Sequence, residues 1–168
     1  MTIQKYWLFV AIAWTIHNVE EFLTMPQWIG AHESQLPFNQ IIPLANLQQS
    51  FPIGLLIVTL LLIIIPLLAI RRKWDNRVLG VVLGIFLVNA VQHIAVSLAL
   101  RTYSPGVITA LLINLPLSIA ILRQLFKQKL LKNFSWIHVI LLGIIGFFAS
   151  ISVLWVVALA IHALGVHF

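Results

Sequence analysis

Cysteine is absent from all 168 residues, which removes disulfides, thiolate metal sites and a thiol nucleophile from consideration and leaves the compartment open. Charge is nearly as scarce. Asp, Glu, Lys and Arg together make up 8% of the chain against 61% hydrophobic residues, whereas a soluble domain carries roughly 25% charged residues. With a mean hydropathy of +1.06, the solvent this composition fits is lipid. A spanning helix needs about 20 mostly apolar residues, so the chain has room for roughly four to six spans in one membrane domain, residues 1–168. The acidic residues number 4 against 10 Lys and Arg, for a net charge of +6. Such an excess resembles a nucleic-acid signature, yet the basic residues stand beside apolar runs, where they report membrane orientation. The expected partner is therefore the lipid bilayer, with no nucleic acid. Internal repeats and low-complexity tracts are also lacking, which argues against a transporter built from repeats.

What is present is a series of apolar runs that predicts an all-α, polytopic transmembrane bundle of about five spanning helices. The first covers residues 5–23 and is read as a retained helix, because no small-residue cleavage pattern follows it. It is expected to stop before Pro26, since the residue ahead of a proline is pushed out of helical geometry. Residues 24–50 hold Pro26, Gly30, Pro37 and Pro43 and read as an outer loop, in which residues 38–47 have the makings of a short interfacial helix. Further spans are expected at 51–70, bent near Pro66, then 78–100, 107–126 and 136–162. Asn114 and Pro116 fall inside the fourth, a position that neighbouring helices can accommodate.

Positively charged connections stay cytoplasmic. Lys5, the group Arg71, Arg72, Lys73 and Arg77, and the group Arg123, Lys127, Lys129 and Lys132 all fall on one side when five spans start from a cytoplasmic N-terminus. The other side holds residues 24–50, without Lys or Arg, and a turn with Arg101 alone. Residence in the cell (plasma) membrane is expected. Trp28, Trp74 and Trp136 read as interfacial anchors.

Against this background a few ionisable residues stand out. His17, Glu20 and Glu21 lie at i, i+3 and i+4 on one face of the first helix, and Asn89 and His93 at i and i+4 on the third, with Gln92 alongside. Both helices run outward, and the two histidines lie at similar distances from the helix ends, hence at similar depth in the outer half of the bilayer. A carboxylate near the middle of a span costs about 2.5 to 3.5 kcal/mol on insertion scales. Two adjacent glutamates therefore need partners, and a metal ion or a histidinium would serve.

His17-Asn18-Val19-Glu20-Glu21 resembles the signature of the HXXEE membrane-protein family. Asn89-Ala90-Val91-Gln92-His93 is similar to that family's NxxxH element, and Pro105-Gly106-Val107-Ile108-Thr109 to its PGxxT element at the start of the fourth helix. The resemblance reaches over roughly two thirds of the chain. It implies a multi-span membrane protein with motifs of catalytic residue types and without an assigned activity or substrate.

The HxxEE spacing also resembles the inverted zincin helix, H-x-x-E-H, with Glu21 in place of the second histidine. On that analogy His17, Glu21 and His93 bind Zn²⁺, and Glu20 or a water serves as base. Iron is the other metal considered, although a di-iron bundle draws four carboxylates from four helices and only Glu20, Glu21 and Glu33 are at hand. A metal-free version keeps Glu20, His17, Glu21 and His93 as an acid/base set. In both versions Asn89, Gln92 and Thr109 are candidates for holding a cofactor or orienting a ligand, and the pocket is expected between the first, third and fourth helices, facing outward.

The plain alternative for the ionisable cluster is a polar clamp between two helices, and for Gly106 and Thr109 a turn and a helix start. His32 and Glu33 read as solvated loop residues, His162 as near enough to approach the cluster, His138 as too far along the axis and His167 as terminal. The expected function is an integral membrane protein with an intramembrane His/Glu site acting as an enzyme on a lipid or apolar small molecule. A cation- or proton-coupled carrier or small-molecule-binding protein is the alternative, and whether the chain is an enzyme stays open at this stage.

Overall fold

The computed structural model describes residues 3–32 and 44–164, and among these it contains five helices and no strand. Helix α1 is Ile3–His32, α2 Leu44–Arg72, α3 Asn76–Leu100, α4 Val107–Lys127 and α5 Trp136–Ala163. Four of them, in the segments Phe51–Arg72, Asn76–Leu100, Val107–Lys127 and Trp136–Val157, are long and apolar enough to cross a membrane. Helix α1 matches them in length but has a polar stripe that lowers its hydropathy. That stripe turns inward: His17, Asn18 and Glu21 are buried, while Ile12, Val19, Phe22 and Leu23 lie exposed on the other side. A helix with its polar groups inside and an apolar stripe outside presents the surface that lipid contact requires.

The connection after α1 differs from the expected loop over 24–50. Helix α1 continues through Pro26 to His32, and α2 begins at Leu44 with Pro52 inside it; residues 33–43 lie outside the described residues. Pro26 withholds one backbone donor from the helix. The turns beyond it are held by tertiary contacts instead, with the Trp28 indole donating to the Tyr103 carbonyl at 2.7 Å and Ile29 buried. Proline thus bends the local rule where packing supplies the missing constraint.

Helix α3 starts on Asp75, whose side chain accepts from the Arg77 N–H, and ends on Arg101 in the left-handed conformation at φ 51°. In α4 the first turn is followed by a π-helical segment, Ala110–Asn114, which ends two residues before Pro116. The proline removes the N–H that would bond one turn back, and the wider π turn takes up the mismatch. Asn114 is fully buried there.

Trp7, Val10, Leu83, Phe86 and Leu122, with their neighbours, form a dry core among α1, α3 and α4 in the half of the bundle nearer the Arg and Lys clusters. On the other side of α3, α5 approaches backbone to backbone. A Cβ on Gly143 would come within 2.6 Å of the Gly84 carbonyl carbon, so any side chain there would force the helices apart. The polar stripes of α1 and α3 sit above the dry core, toward the α3–α4 turn.

Candidate functional site

The start of α4 is fastened to α1 through Glu20. Its Oε2 accepts from the Thr109 N–H at 2.8 Å and from the Thr109 hydroxyl at 2.6 Å, and its Oε1 from the Ile108 N–H at 3.2 Å and the Tyr103 hydroxyl at 2.7 Å. The first N–H groups of a helix have no partner within it. Gly106, at φ 81°, stands at the N-cap without any side chain to satisfy them, and Glu20 supplies the carboxylate from another helix, where the helix dipole also favours negative charge. Burial and the adjoining Glu20 carboxylate push the Tyr103 hydroxyl above its ordinary pKa, so the turn presents it as a donor.

This arrangement determines the state of His17. Thr109 has one hydroxyl hydrogen, which goes to the Glu20 carboxylate, leaving its oxygen to accept. His17 Nδ1 lies 2.8 Å from that oxygen and must donate. The ring is thus held with its proton on Nδ1, and Nε2 offers a lone pair to the interior, as when an outer partner orients a ligating histidine. Nε2 is buried and hydrogen-bonds to nothing among the described residues.

His17 Nε2 faces Glu21 Oε1 at 3.9 Å, and Glu21 Oε1 faces His93 Nε2 at 3.2 Å. The Asn89 amide reaches His93 Nε2 at 3.2 Å. The imidazoles meet edge to face, 4.9 Å between centroids, and His93 Nδ1 is also buried without a hydrogen bond among the described residues. One ligand atom from each of His17, Glu21 and His93 lies within 4.8 Å of the others, a group that could hold a metal ion. Gly106 closes the top: a Cβ there would stand 2.7 Å from His17 Cε1 and 3.0 Å from His93 Cε1.

Beside the trio is a cavity of about 260 Å³, with Glu21, His93, Asn89, Gln92 and Asn18 on its polar wall and, apart from Ser150 on α5, apolar side chains from Trp14 to Trp155 elsewhere. It lies between α1, α2, α3 and α5, which corrects the expectation of a pocket among the first, third and fourth helices. Glu20 pulls α4 onto α1, and Gly106 fills the space on that side, so the room is left toward α2 and α5.

The trio expected as metal ligands is brought together. Glu20, expected as a base, stands apart from it with both oxygens engaged by α4. Thr109 touches His17 and Asn89 touches His93, while Gln92 faces the cavity. His32 belongs to the last turn of α1 rather than a loop, with Nδ1 2.9 Å from the Trp28 carbonyl, and stays outside the cluster. Glu33, His167 and the side chain of His162 lie outside the described residues. His138 bonds Ser135 at 2.7 Å at the start of α5, far from the trio. Trp28, read as an interfacial anchor, lines the cavity. Sequence reading missed Tyr103 and the pair Asn18–Thr59, whose amide and hydroxyl meet at 2.6 Å. Tyr103 gave one signal, its place just ahead of Pro105-Gly106; Thr59, in a run of apolar residues, gave none.

Comparison with known proteins covers the same residues. A family described as "Protein of unknown function with HXXEE motif" matches residues 7–121, a stretch holding all three motifs that converge here and stopping short of α5. The "Uncharacterized protein YrkK" of Bacillus subtilis (strain 168) is 27% identical over 127 residues, which cover 73% of this chain and 76% of that protein. No solved structure matches. Since the family match takes in more than half of the chain, including His17, Glu20, His93 and Thr109, the chain belongs to the HXXEE-motif family.

Proposed function

We propose that this chain is a membrane-embedded enzyme of the cell membrane, N-terminus cytoplasmic and α3–α4 turn outside, whose His17, Glu21 and His93 hold a divalent metal ion beside a cavity for a lipid or other apolar molecule. The observation that carries the reading is the convergence of these three buried side chains, with the lone pair of His17 Nε2 aimed inward and unpartnered. Zinc bonds to nitrogen and oxygen are about 2.0 to 2.2 Å long, which puts tetrahedral ligands about 3.3 to 3.6 Å apart. The separations of 3.2 and 3.9 Å around Glu21 Oε1 bracket that range, and the group as a whole, within 4.8 Å, would have to draw closer around an ion. Two histidines and one carboxylate suit zinc first and iron(II) second, and leave a position open. When bound, such an ion supplies a Lewis acid and a water of lowered pKa.

The protein's own groups do the rest. Thr109 fixes the His17 proton on Nδ1 and Glu20 holds Thr109 in place, while the Asn89 amide would have to release His93 Nε2 for that nitrogen to bind a metal. Glu21 and His93 are the ionisable groups on the cavity wall, so a molecule bound there meets the group on their side, and without a metal the same pair would carry proton transfer. A carrier would need polar groups continuing toward the cytoplasmic face; Val10, Leu83 and Phe86, each at most 2% exposed, make a dry floor instead.

Metal analysis by mass spectrometry on detergent-purified protein tests the reading. Stoichiometric zinc or iron in the wild type, lost in His17→Ala and in His93→Ala, is expected. Absence of metal after exposure to excess Zn²⁺ and Fe²⁺ would overturn the metal centre and leave the His93–Glu21 pair as an acid/base set.

A further inference from the structure

Polar and apolar parts of the cavity lie at different depths. Its deepest residue on α1 is Trp14, and Glu21 stands about 10 Å further out along the helix, with Ile29 about 12 Å beyond that, at 1.5 Å per residue. The Asn18–Thr59 bond sets α2 in register with α1, so Val58 lies near the deep end and Leu55 and Phe51 lie outward of it. The approach of Gly143 to Gly84 does the same for α5 against α3. It puts Phe147 low, near the level of Asn89, and Leu154 and Trp155 higher. Asn89, Gln92, His93 and Glu21 thus lie from the deeper half up to the middle, with the Ser150 hydroxyl turned to the Phe147 carbonyl, and from there to the outer end the walls include Met25, Ile29, Phe51, Leu55, Leu154 and Trp155.

This polarity is opposite to that of a lipid in the outer leaflet, whose head faces out and whose chains face in. A matching ligand must therefore lead with its polar group and trail its hydrocarbon outward. The leading group has to be small, because the deep wall is crowded by the His93 imidazole and the Asn18 and Asn89 amides and closed below by Trp14. Gln92 provides the receiving group: its amide faces the cavity beside Glu21 and His93 and bonds to no protein atom among the described residues. The volume of about 260 Å³, at about 30 Å³ for each water-sized group, admits roughly nine such groups, so a chain of about ten carbons with its head would leave its last carbons at the outer mouth.

We infer that the cavity receives a single-chain or isoprenoid-sized molecule of about ten carbons with a small oxygen-bearing head, entering head first so that the oxygen meets Gln92 at the wall of the His17, Glu21 and His93 group. This names the substrate class for the reading above and rests on it for the role of the oxygen, whereas binding of the hydrocarbon body does not need the metal.

The test is native mass spectrometry of the full chain in lipid nanodiscs with three probes sharing one tail: 1-decanol, decane and decylphosphocholine. A one-to-one decanol adduct is expected, with decane weaker and decylphosphocholine at background. Leu55→Trp, which fills the outer half, and Gln92→Leu, which removes the receiving amide, should each weaken the decanol adduct about ten-fold. Decylphosphocholine binding as well as decanol, or a decanol adduct indifferent to both variants, would overturn the inference. Should Leu55→Trp not fold, as judged by size-exclusion profile, Ser150→Leu on the α5 wall replaces it with the same expected loss. Metal content read on the same samples separates the two ideas. Decanol held in this cavity by a protein that takes no metal removes the metal centre alone. Metal present with no cavity-dependent decanol adduct removes this inference alone.

Discussion

A hydroxyl and an imidazole give the sharpest consequence at the scale of single residues. Thr109 Oγ1 donates to Glu20 and accepts from His17, so a valine, equal in shape but without the oxygen, leaves the His17 proton free to move to Nε2. Metal affinity should then fall about 10- to 100-fold, the range for loss of an outer partner of a ligating histidine. Thr109→Ser should restore most of it, as read by competition against a chelator. Gly106 offers a second test. Alanine there would hold a left-handed φ of 81° and place its Cβ 2.7 Å from His17 Cε1. Gly106→Ala is expected to cost about 1 to 3 kcal/mol of stability, measured by thermal unfolding in detergent, and to weaken metal binding with it. The spacing of the three motifs made His17, Glu21 and His93 legible as one group. Glu20 was legible as an ionisable group within the helix bundle, where it is half-buried, but not in its task, because a glutamate at i+3 looks the same whether it faces a metal or a neighbouring helix.

At the scale of elements, α4 depends on a cap that its own sequence lacks. Glu20→Gln would turn an amide NH₂ toward the Thr109 and Ile108 N–H groups and should destabilise the protein by about 1 to 2 kcal/mol. Tyr103→Phe, losing one of the donors to Glu20, should cost about 0.5 to 1.5 kcal/mol. Both are read from unfolding in detergent. Asp75 provides a pH-dependent counterpart at the start of α3. Its hydrogen bonds from Arg77 hold its carboxyl below the ordinary range, so its contribution is present above the unfolded value, about pH 4, and is lost as pH falls through the lower folded value. The stability gap between wild type and Asp75→Ala should hold steady from about pH 5 to 8 and close in stronger acid. Helix boundaries were the least legible feature. Pro26 and Pro52 are strong local stop signals, but the bond from Trp28 to Tyr103 and the burial of Ile29 outweigh the single donor that Pro26 withholds.

For the whole molecule, orientation is the claim most open to direct test, and the absence of cysteine makes the experiment clean. A single cysteine at Thr102, in the α3–α4 turn, should react with a membrane-impermeant maleimide on intact cells. One at Lys129, in the α4–α5 connection, should react only after permeabilisation. The reverse pattern would invert the topology. The bundle also explains why α1 falls short of the other four in hydropathy. Its polar side chains are spent on the interior, where the cavity separates α1 from α3 and the trio bridges them.

Composition, charge placement and residue order by themselves determined that this is an all-helical protein with helices long and apolar enough to cross a membrane, that it carries the three HXXEE-family motifs, and that two histidines lie at matching depth. Those properties follow from solvent partition and from rise per residue, which are local quantities. Tertiary structure alone decided that Glu20 caps α4, that Thr109 sets the His17 tautomer, and that the cavity opens toward α2 and α5. Each of these depends on how helices distant in the chain are rotated about their axes against one another, and the close packing that sets such rotations is a property of facing surfaces that no single stretch of sequence contains.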